Sequence, residues 1–244
     1  MCPDNVILHG GGVNLLISVQ QTNTIYLVRH GENTANITKE FSFKLVDYSL
    51  TAKGVQQAEQ TAEYFKDKDI HEIYSSPLKR AVETAEIIGR ELGLAVTVME
   101  QFREVNVGRL EGQPPTQENW ALHNRIVEDW YEGRYTSTFP DGENYLAVMQ
   151  RMREGLLEVT RNKQGRNIVI VGHGGIFTAA VRDLCVNRDT RDLIQKENHN
   201  CSITEIVLHT SDGQVEGELK GWALCTHLSG DTARLISGVP QFEK

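Results

Sequence analysis

Two histidines, each followed directly by a glycine, stand after two apolar stretches of this 244-residue chain. His30 follows the stretch 24–28, and His173 follows the stretch 168–171. Short runs rich in β-branched residues are typical of buried strands, and ligands of open α/β sheets bind at the carboxyl ends of strands. A lone histidine is more often structural than functional. The coincidence of two such motifs predicts that both imidazoles lie at the same edge of one sheet.

Two arginines are expected beside these histidines. Arg29 directly precedes His30, and Arg80 lies in the first turn of a helix expected after Ser76-Pro77. Guanidinium groups match phosphate oxygens in a bidentate fork, and helix N-termini offer free N–H groups to anions. The pattern predicts a phosphate site. As an alternative, Arg80 makes a surface ion pair.

A metal site formed by His30 and His173 is a second alternative. Such a site needs a third ligand and usually a local pair of histidines spaced as HxH or HxxxH. The other histidines show no such spacing, and two nearby guanidinium groups would repel a cation. We therefore expect neither a metal nor a cofactor.

Composition limits the class of protein. The chain, 39% hydrophobic and 24% charged, is long enough for one sizeable core, which predicts a single domain over residues 24–244. A net charge of −8 argues against nucleic-acid binding, so an anionic substrate must meet a local cluster of positive charge. The four cysteines lack paired spacing, which favours reduced thiols and a cytoplasmic location.

Residues 1–23 precede the expected domain. They contain no Lys or Arg, and their apolar stretch 13–19 is too short for a secretory signal or a membrane span. We expect no membrane association. We interpret these residues as a flexible extension, with an added edge strand as the alternative.

Strand-like and helix-like patterns alternate along the rest of the chain, which predicts an α/β fold: a three-layer α/β/α sandwich with a mostly parallel central sheet. Expected strands are 24–28, 70–75, 95–98, 167–172, 202–209 and 214–219, with a further strand within 221–228. Expected helices begin after Thr51 and Pro77 and span 116–130, 145–162 and 176–186. Residues 33–48 show no clear period and are expected to form a loop. The aromatic-rich stretch at about 112–142 fits a small helical cap over the site, or an ordinary insertion.

Five ordered blocks over residues 24–210 resemble the histidine phosphatase superfamily, which includes the cofactor-dependent phosphoglycerate mutases. The blocks are residues 27–32 with Asn36; Leu50-Thr51 with Gly54 and Gln57-Ala58; residues 75–78 with Arg80-Ala81 and Thr84-Ala85; Glu104 with Gly108, Glu111-Gly112 and Gly142-Glu143; and residues 171–175. The resemblance implies that His30 is a nucleophile forming a phosphohistidine that water later hydrolyses.

The resemblance also implies roles for the surrounding residues. Arg29, Arg80 and His173 would hold the phosphoryl oxygens, and Asn36 would add a neutral donor. Gly31 and Gly174 would lie next to the substrate.

Glu104 would be the general acid on the leaving oxygen and then the base for water, which near neutral pH requires a raised pKa. The rival carboxylates are Glu100 and Glu111. Without the resemblance, Glu104 would be interpreted as pairing with Arg103 or Arg109.

Two features favour a phosphatase over a mutase. The insertion between Gly112 and Gly142 is only about thirty residues, and the residues after Glu104 are Val105-Asn106 where mutases resembling this chain usually have His-Tyr. The alternatives are a cofactor-dependent phosphoglycerate mutase and a catalytically weak regulator that binds phosphorylated ligands.

One departure concerns the substrate. Residues 39–47 lack an Arg-x-Gln-Gly motif that is common in relatives, and Lys39 or Lys44 is a candidate replacement for the missing charge. We expect a small phosphorylated substrate of open identity. An edge strand is compatible with a homodimer.

Overall fold

The computed structural model describes residues 20–187, 196–240 and 242. Most of the expected extension, residues 1–19, lies outside the described residues. The six strands are β1 (Gln21–Arg29), β2 (Glu72–Ser75), β3 (Val96–Val98), β4 (Asn167–Gly172), β5 (Ile203–Ser211) and β6 (Gln214–Leu224). The six α-helices in these residues are α1 (Thr34–Thr38), α2 (Ala52–Phe65), α3 (Lys79–Leu92), α4 (Gln117–Tyr131), α5 (Tyr145–Thr160) and α6 (Gly174–Leu184).

The six strands form one sheet in the order β3-β2-β4-β1-β5-β6. The pairs among β3, β2, β4 and β1 are parallel, whereas β5 is antiparallel to both β1 and β6. In the register of the two central strands, Val28 lies opposite Val171 and Arg29 opposite Gly172. This register brings His30 and His173 to the same edge of the sheet, as the sequence predicts.

Helices cover both faces of the sheet, which confirms the predicted three-layer sandwich. On one face, Tyr26 and Val28 pack with buried residues of α2 and α3. On the other face, Ile25 and Leu27 pack with buried residues of α4, α5 and α6. Because successive side chains of a strand point to opposite faces, β1 contributes to both core clusters.

Three local expectations were wrong. Strand β1 begins at Gln21, so residues 21–23 belong to the sheet. The expected loop 33–48 contains α1, because Asn33 and Asn36 cap its first turn reciprocally through side chain and backbone. Strand β6 runs unbroken to Leu224, since its pairing with β5 continues past Leu219 after an irregularity in register.

The predicted start of helix α2 was confirmed. Helix α2 begins after Thr51, whose Oγ1 accepts a hydrogen bond from Gly54 N at 3.0 Å. The thiols of Cys185, Cys201 and Cys225 are free. In the described part of the chain, no helix has the length and apolar character needed to cross a membrane.

Candidate active site

His30 lies just beyond β1 and is almost completely buried. Its Nδ1 is 2.7 Å from the carbonyl oxygen of Gly31, and its Nε2 accepts a hydrogen bond from Arg80 Nε at 3.0 Å. Because a carbonyl oxygen only accepts hydrogen bonds, the proton resides on Nδ1 and Nε2 keeps its lone pair. Burial, and then the charges of Arg80 and Arg29, hold the pKa of His30 well below 6.5. The ring is therefore neutral at neutral pH, with Nε2 as its basic atom.

The glycine after His30 allows a close approach of two backbone segments. A Cβ on Gly31 would lie 2.5 Å from the carbonyl oxygen of Gly54, and a Cβ on Gly54 would lie 2.1 Å from that of Glu32. The Gly31 N–H donates to Thr84 Oγ1 at 3.0 Å. Both backbone polar groups of Gly31 are thus used to position His30. Gly31 was expected to lie next to the substrate, but it does not line the cavity described below.

The guanidinium of Arg80 joins the two histidines. Besides contacting His30, it donates from Nη2 to His173 Nδ1 at 3.1 Å. It also donates from Nη1 to Ser42 Oγ and from Nη2 to the Ser42 carbonyl oxygen, both at 2.8 Å. Arg80 is only 3% exposed, which excludes the alternative of a surface ion pair. Burial lowers the pKa of Arg80 to about 10, so the group still carries its charge at neutral pH.

His173 is completely buried, and its ring centroid lies 5.2 Å from that of His30. Since the Arg80 guanidinium only donates, Nδ1 of His173 is an acceptor and its Nε2–H donates to Ser76 Oγ at 2.7 Å. Burial lowers the pKa of His173 well below 6.5, and the charge of Arg80 adds to this effect. His173 therefore holds Arg80 in place as a neutral acceptor.

Among the buried donors that have no acceptor in the described residues, three belong to one cavity. They are Arg29 Nε, Asn33 Nδ2 and Asn198 Nδ2. All three residues line one cavity, and Arg29 is fixed there by a hydrogen bond from its Nη1 to the Asn198 carbonyl oxygen. Buried donors are normally satisfied, and leaving one unpaired costs about 1–3 kcal/mol. Hydrogen-bond donor capacity therefore remains unused in residues beside this cavity.

Asn36 lines the same cavity. Its Oδ1 accepts from Asn33 N at 3.1 Å and from Asn200 Nδ2 at 2.9 Å. These two bonds fix the orientation of the amide, so its NH2 group is the end left to donate. Asn200 also donates to the His30 carbonyl oxygen at 3.0 Å, which couples Asn36 to the end of β1.

Glu104 lies over the N-terminus of α6. Its Oε1 accepts hydrogen bonds from Val105 N and Ile176 N, both at 2.9 Å, and its Oε2 accepts from Gly175 N at 3.1 Å. A Cβ on Gly175 would lie 2.8 Å from Glu104 Oε1, whereas one on Gly174 would have its nearest neighbour at 3.6 Å. Gly174 lines the cavity as expected, but Gly175 is the glycine that the carboxylate requires.

The rival carboxylates have structural partners instead. Glu111 is buried, and its Oε1 accepts from four successive backbone N–H groups, those of residues 43–46, at 2.6–3.2 Å. It thereby holds the loop that carries Ser42. Glu100 pairs with Arg103, and Arg109 pairs with Asp141. Arg103 and Arg109, the alternative partners considered for Glu104, thus pair with other carboxylates.

A half-buried ion pair supports the segment that carries Glu104. Arg151 pairs with Glu143 at 2.7 Å and donates to the carbonyl oxygens of Gln101, Arg103 and Glu104. Glu143 in turn accepts from Asn106 N at 2.8 Å. Glu143 belongs to the Gly142-Glu143 block that is noted in the sequence, whereas no sequence motif indicated Arg151.

The cavity has a volume of about 340 Å³. Its polar part is formed by Arg29, His30, Arg80 and Glu104, and α4 of the expected cap forms its aromatic part with Phe41 and Phe139. Lys39 lines the cavity, with its Nζ bonded to the carbonyl oxygens of Asn36 and Ser237 at 2.7 and 2.6 Å. Lys44 is exposed elsewhere. Of the two lysines considered as replacements for the missing charge, only Lys39 lines the cavity.

Within the described ranges, no three His, Cys, Asp or Glu side chains are grouped as a metal site requires. The arrangement instead combines a neutral imidazole whose Nε2 carries no proton, two guanidinium groups, unpaired buried donors and a carboxylate. Such a set of groups suits transfer of a phosphoryl group to nitrogen.

Comparisons with known proteins agree with this chemistry. The family description "Histidine phosphatase superfamily (branch 1)" matches residues 25–218. A probable phosphoglycerate mutase, GpmB, of Escherichia fergusonii is 32% identical over 219 residues, covering 86% of this chain and 94% of the relative. An uncharacterized phosphatase, PhoE, of Bacillus subtilis is 29% identical over 206 residues, covering 84% and 97%.

Solved structures show the same fold. The structure of a mycobacterial glucosyl-3-phosphoglycerate phosphatase matches with a TM-score of 0.67 and 25% identity, covering 84% of this chain and 100% of that one. Relatives named as mutases and as phosphatases are thus both similar to this chain.

Proposed function

The chain belongs to the histidine phosphatase superfamily, and on that premise we propose that it hydrolyses a phosphomonoester, without a metal, through a phosphohistidine on His30. The observation that carries the proposal is the hydrogen bond from His30 Nδ1 to the Gly31 carbonyl oxygen, 2.7 Å long. It fixes the tautomer in which Nε2 is the nucleophile.

In the first step, the Arg80 Nε–H that bonds to His30 Nε2 turns to an oxygen of the bound phosphate, which releases the lone pair of Nε2. His30 Nε2 then attacks phosphorus, and the bond from phosphorus to the ester oxygen breaks. The guanidinium groups of Arg29 and Arg80 and the amide of Asn36 bind the nonbridging oxygens. His173 keeps Arg80 in position for this task. Such fixed donors supply the largest share of catalysis in phosphoryl transfer, because they are already oriented toward the charge of the transition state.

Glu104 supplies the proton that the leaving alcohol needs. Its Oε2 accepts a single hydrogen bond in this structure, so a lone pair of that oxygen remains to carry the proton. In the second step, Glu104 takes a proton from water as the water oxygen attacks the phosphohistidine. Inorganic phosphate leaves, and both residues return to their starting protonation.

The composition of the cavity favours hydrolysis over mutase activity. A phosphoglycerate mutase must hold a carboxylate and a second phosphate, which needs cations beyond Arg29 and Arg80. Among the described residues that line the cavity, the further cations are Lys39, already bonded to two carbonyl oxygens, and Lys196. The wall formed by α4 offers aromatic and aliphatic side chains instead.

The free thiols of Cys185, Cys201 and Cys225 suit a reducing compartment, and a cytoplasmic location is part of this proposal.

The test is release of inorganic phosphate from a panel of phosphomonoesters in EDTA. We expect the native chain to turn over at least one ester, His30→Ala to lose this activity, and His209→Ala, a change on β5 away from the cavity, to keep it. Loss of native activity in EDTA would contradict a metal-independent enzyme. Activity toward monophosphoglycerate that appears only with bisphosphoglycerate would favour the mutase alternative.

A further inference from the structure

One face of α4 forms a wall of the cavity that also contains Arg29, His30 and Arg80. Its side chains recur at intervals of three and four residues, which places them on one side of a helix. They are Trp120, His123, Val127, Trp130 and Tyr131. Phe41 and Phe139 complete this aromatic wall from neighbouring segments.

The two tryptophans of the aromatic wall have their polar atoms satisfied within the protein. Trp120 Nε1 donates to the Lys39 carbonyl oxygen at 3.2 Å, and Trp130 Nε1 donates to that of Ser137 at 2.6 Å. Both indoles therefore have only ring carbon left for a ligand. Apolar groups that pack on carbon surface of this kind lower the free energy of binding, whereas a charged group placed there loses its hydration without gaining a hydrogen bond.

His123 lies at the centre of the aromatic wall. Its ring centroid is 5.3 Å from that of Phe41, 5.1 Å from Trp120 and 5.5 Å from Phe139. Its Nδ1 is 3.0 Å from Asn124 Oδ1, which only accepts, so Nδ1 carries the proton and Nε2 is an acceptor. Burial lowers the pKa of His123, which keeps the ring neutral at neutral pH.

We propose, building on the proposed function, that the alcohol part of the substrate is an apolar body of one or two rings that carries a hydrogen-bond donor facing His123. The phosphate binds at Arg29 and Arg80, the apolar body packs on the aromatic wall, and the donor bonds to Nε2 of His123. A cavity of about 340 Å³ lies at the small end of the range for small-molecule sites, which limits the body to this size.

The apolar part of the proposal is tested with two esters of primary alcohols, so that the leaving groups are similar. We expect kcat/KM to be at least about tenfold higher for 3-phenylpropyl phosphate than for glycerol 3-phosphate, because several more carbon groups leave water. Val127→Lys places a charge in the aromatic wall and should remove most of this preference. Ala121→Lys, on the exposed side of α4, is the matched control and should leave it unchanged.

The donor is tested by adding a 4-hydroxyl group to the phenyl ring. We expect the hydroxylated ester to be the better substrate by about fivefold in the native enzyme, and His123→Phe to abolish that advantage while keeping the preference for rings. An equal advantage in His123→Phe would overturn the role of His123. Circular dichroism of each variant checks that it is folded.

The outcomes separate this inference from the proposed function. Hydrolysis of glycerol 3-phosphate as fast as of the phenylpropyl ester, lost in His30→Ala, would overturn the apolar site and keep the phosphatase. No phosphate release from any ester by the folded native chain would overturn both.

Discussion

Arg80 Nε donates to His30 Nε2 over 3.0 Å, so the proposed nucleophilic nitrogen and its neighbouring cation are in direct contact. This contact has two consequences. The positive charge adds to burial in opposing protonation of the ring, which keeps Nε2 without a proton. The same guanidinium also lies beside the atom to which the proposed phosphoryl group would bond.

The fork geometry of Arg80 leads to the first prediction. Arg80→Lys keeps the charge but cannot make the four hydrogen bonds to His30, His173 and Ser42. We expect kcat to fall by about 10²-fold or more, in line with the loss of an oriented donor in other enzymes. Steady-state kinetics on the best ester measures this, with Arg161→Lys, an exposed arginine, as control. Activity within about threefold of native would contradict the role.

The contact between Glu104 and Gly175 leads to a second prediction. Glu104→Gln cannot donate a proton, so hydrolysis of alkyl phosphates should fall by roughly 10²–10⁴-fold, and p-nitrophenyl phosphate, whose leaving group needs no proton, should be affected far less in its first step.

Gly175→Ala should show the same dependence on the leaving group, because its Cβ would lie 2.8 Å from Glu104 Oε1 and displace the carboxylate. Gly174→Ala is the matched control, since its Cβ has ordinary contact distances. Pre-steady-state measurements separate the two steps. Equal losses for both classes of ester in Glu104→Gln would argue against an acid.

How far the sequence predicts this site depends on the residue. His30 and His173 were predicted because strand ends meet at one edge of a parallel sheet. Arg80 was predicted from its place in the first turn of a helix, and Glu104 because its block resembles the family. Ser42 carried no signal, since it lies in a loop that is positioned through Glu111, 69 residues further along the chain. Contacts of this range depend on tertiary packing, which local patterns do not encode.

The same reasoning applies to the fold. The apolar run of β4 is unbroken because the strand is buried on both faces, so it was easy to predict. Helix α1 was missed because its five residues include few strong helix formers and depend on the Asn33–Asn36 cap. Strand β6 was split because its residues 220–224 are only partly buried and show weak alternation.

The protonation state of His30 can be measured directly. Because burial and the nearby guanidinium charges lower its pKa, the ring should stay neutral from pH 8 down to at least pH 6, with the proton on Nδ1. NMR of ¹⁵N-labelled histidine, assigned with His30→Ala, should show an unprotonated Nε2 throughout that range. A titration midpoint at 6.5 or above would contradict the fixed tautomer.

Buried histidines also link stability to pH. Burial lowers the pKa of His227 to about 4. Between about pH 6.5 and pH 4, this histidine therefore binds a proton in the unfolded chain but not in the folded one. The free energy of unfolding should therefore fall as the pH decreases through this window, by about 2 kcal/mol between pH 7 and pH 5 for this group.

Urea unfolding at pH 7 and pH 5 measures this loss for the native chain and for His227→Gln. The variant should lose less stability between the two pH values by that amount. An identical loss in both proteins would show that His227 is not the linked group.

The central claim is the covalent intermediate on His30, and rapid acid-free quenching of the native enzyme with a ³²P-labelled ester tests it most directly. We predict labelled protein that is stable to base and labile to acid, with mass spectrometry locating one phosphoryl group on His30 and none in His30→Ala. Turnover of the ester without labelled protein at any quench time, or with the label on another residue, would contradict the account.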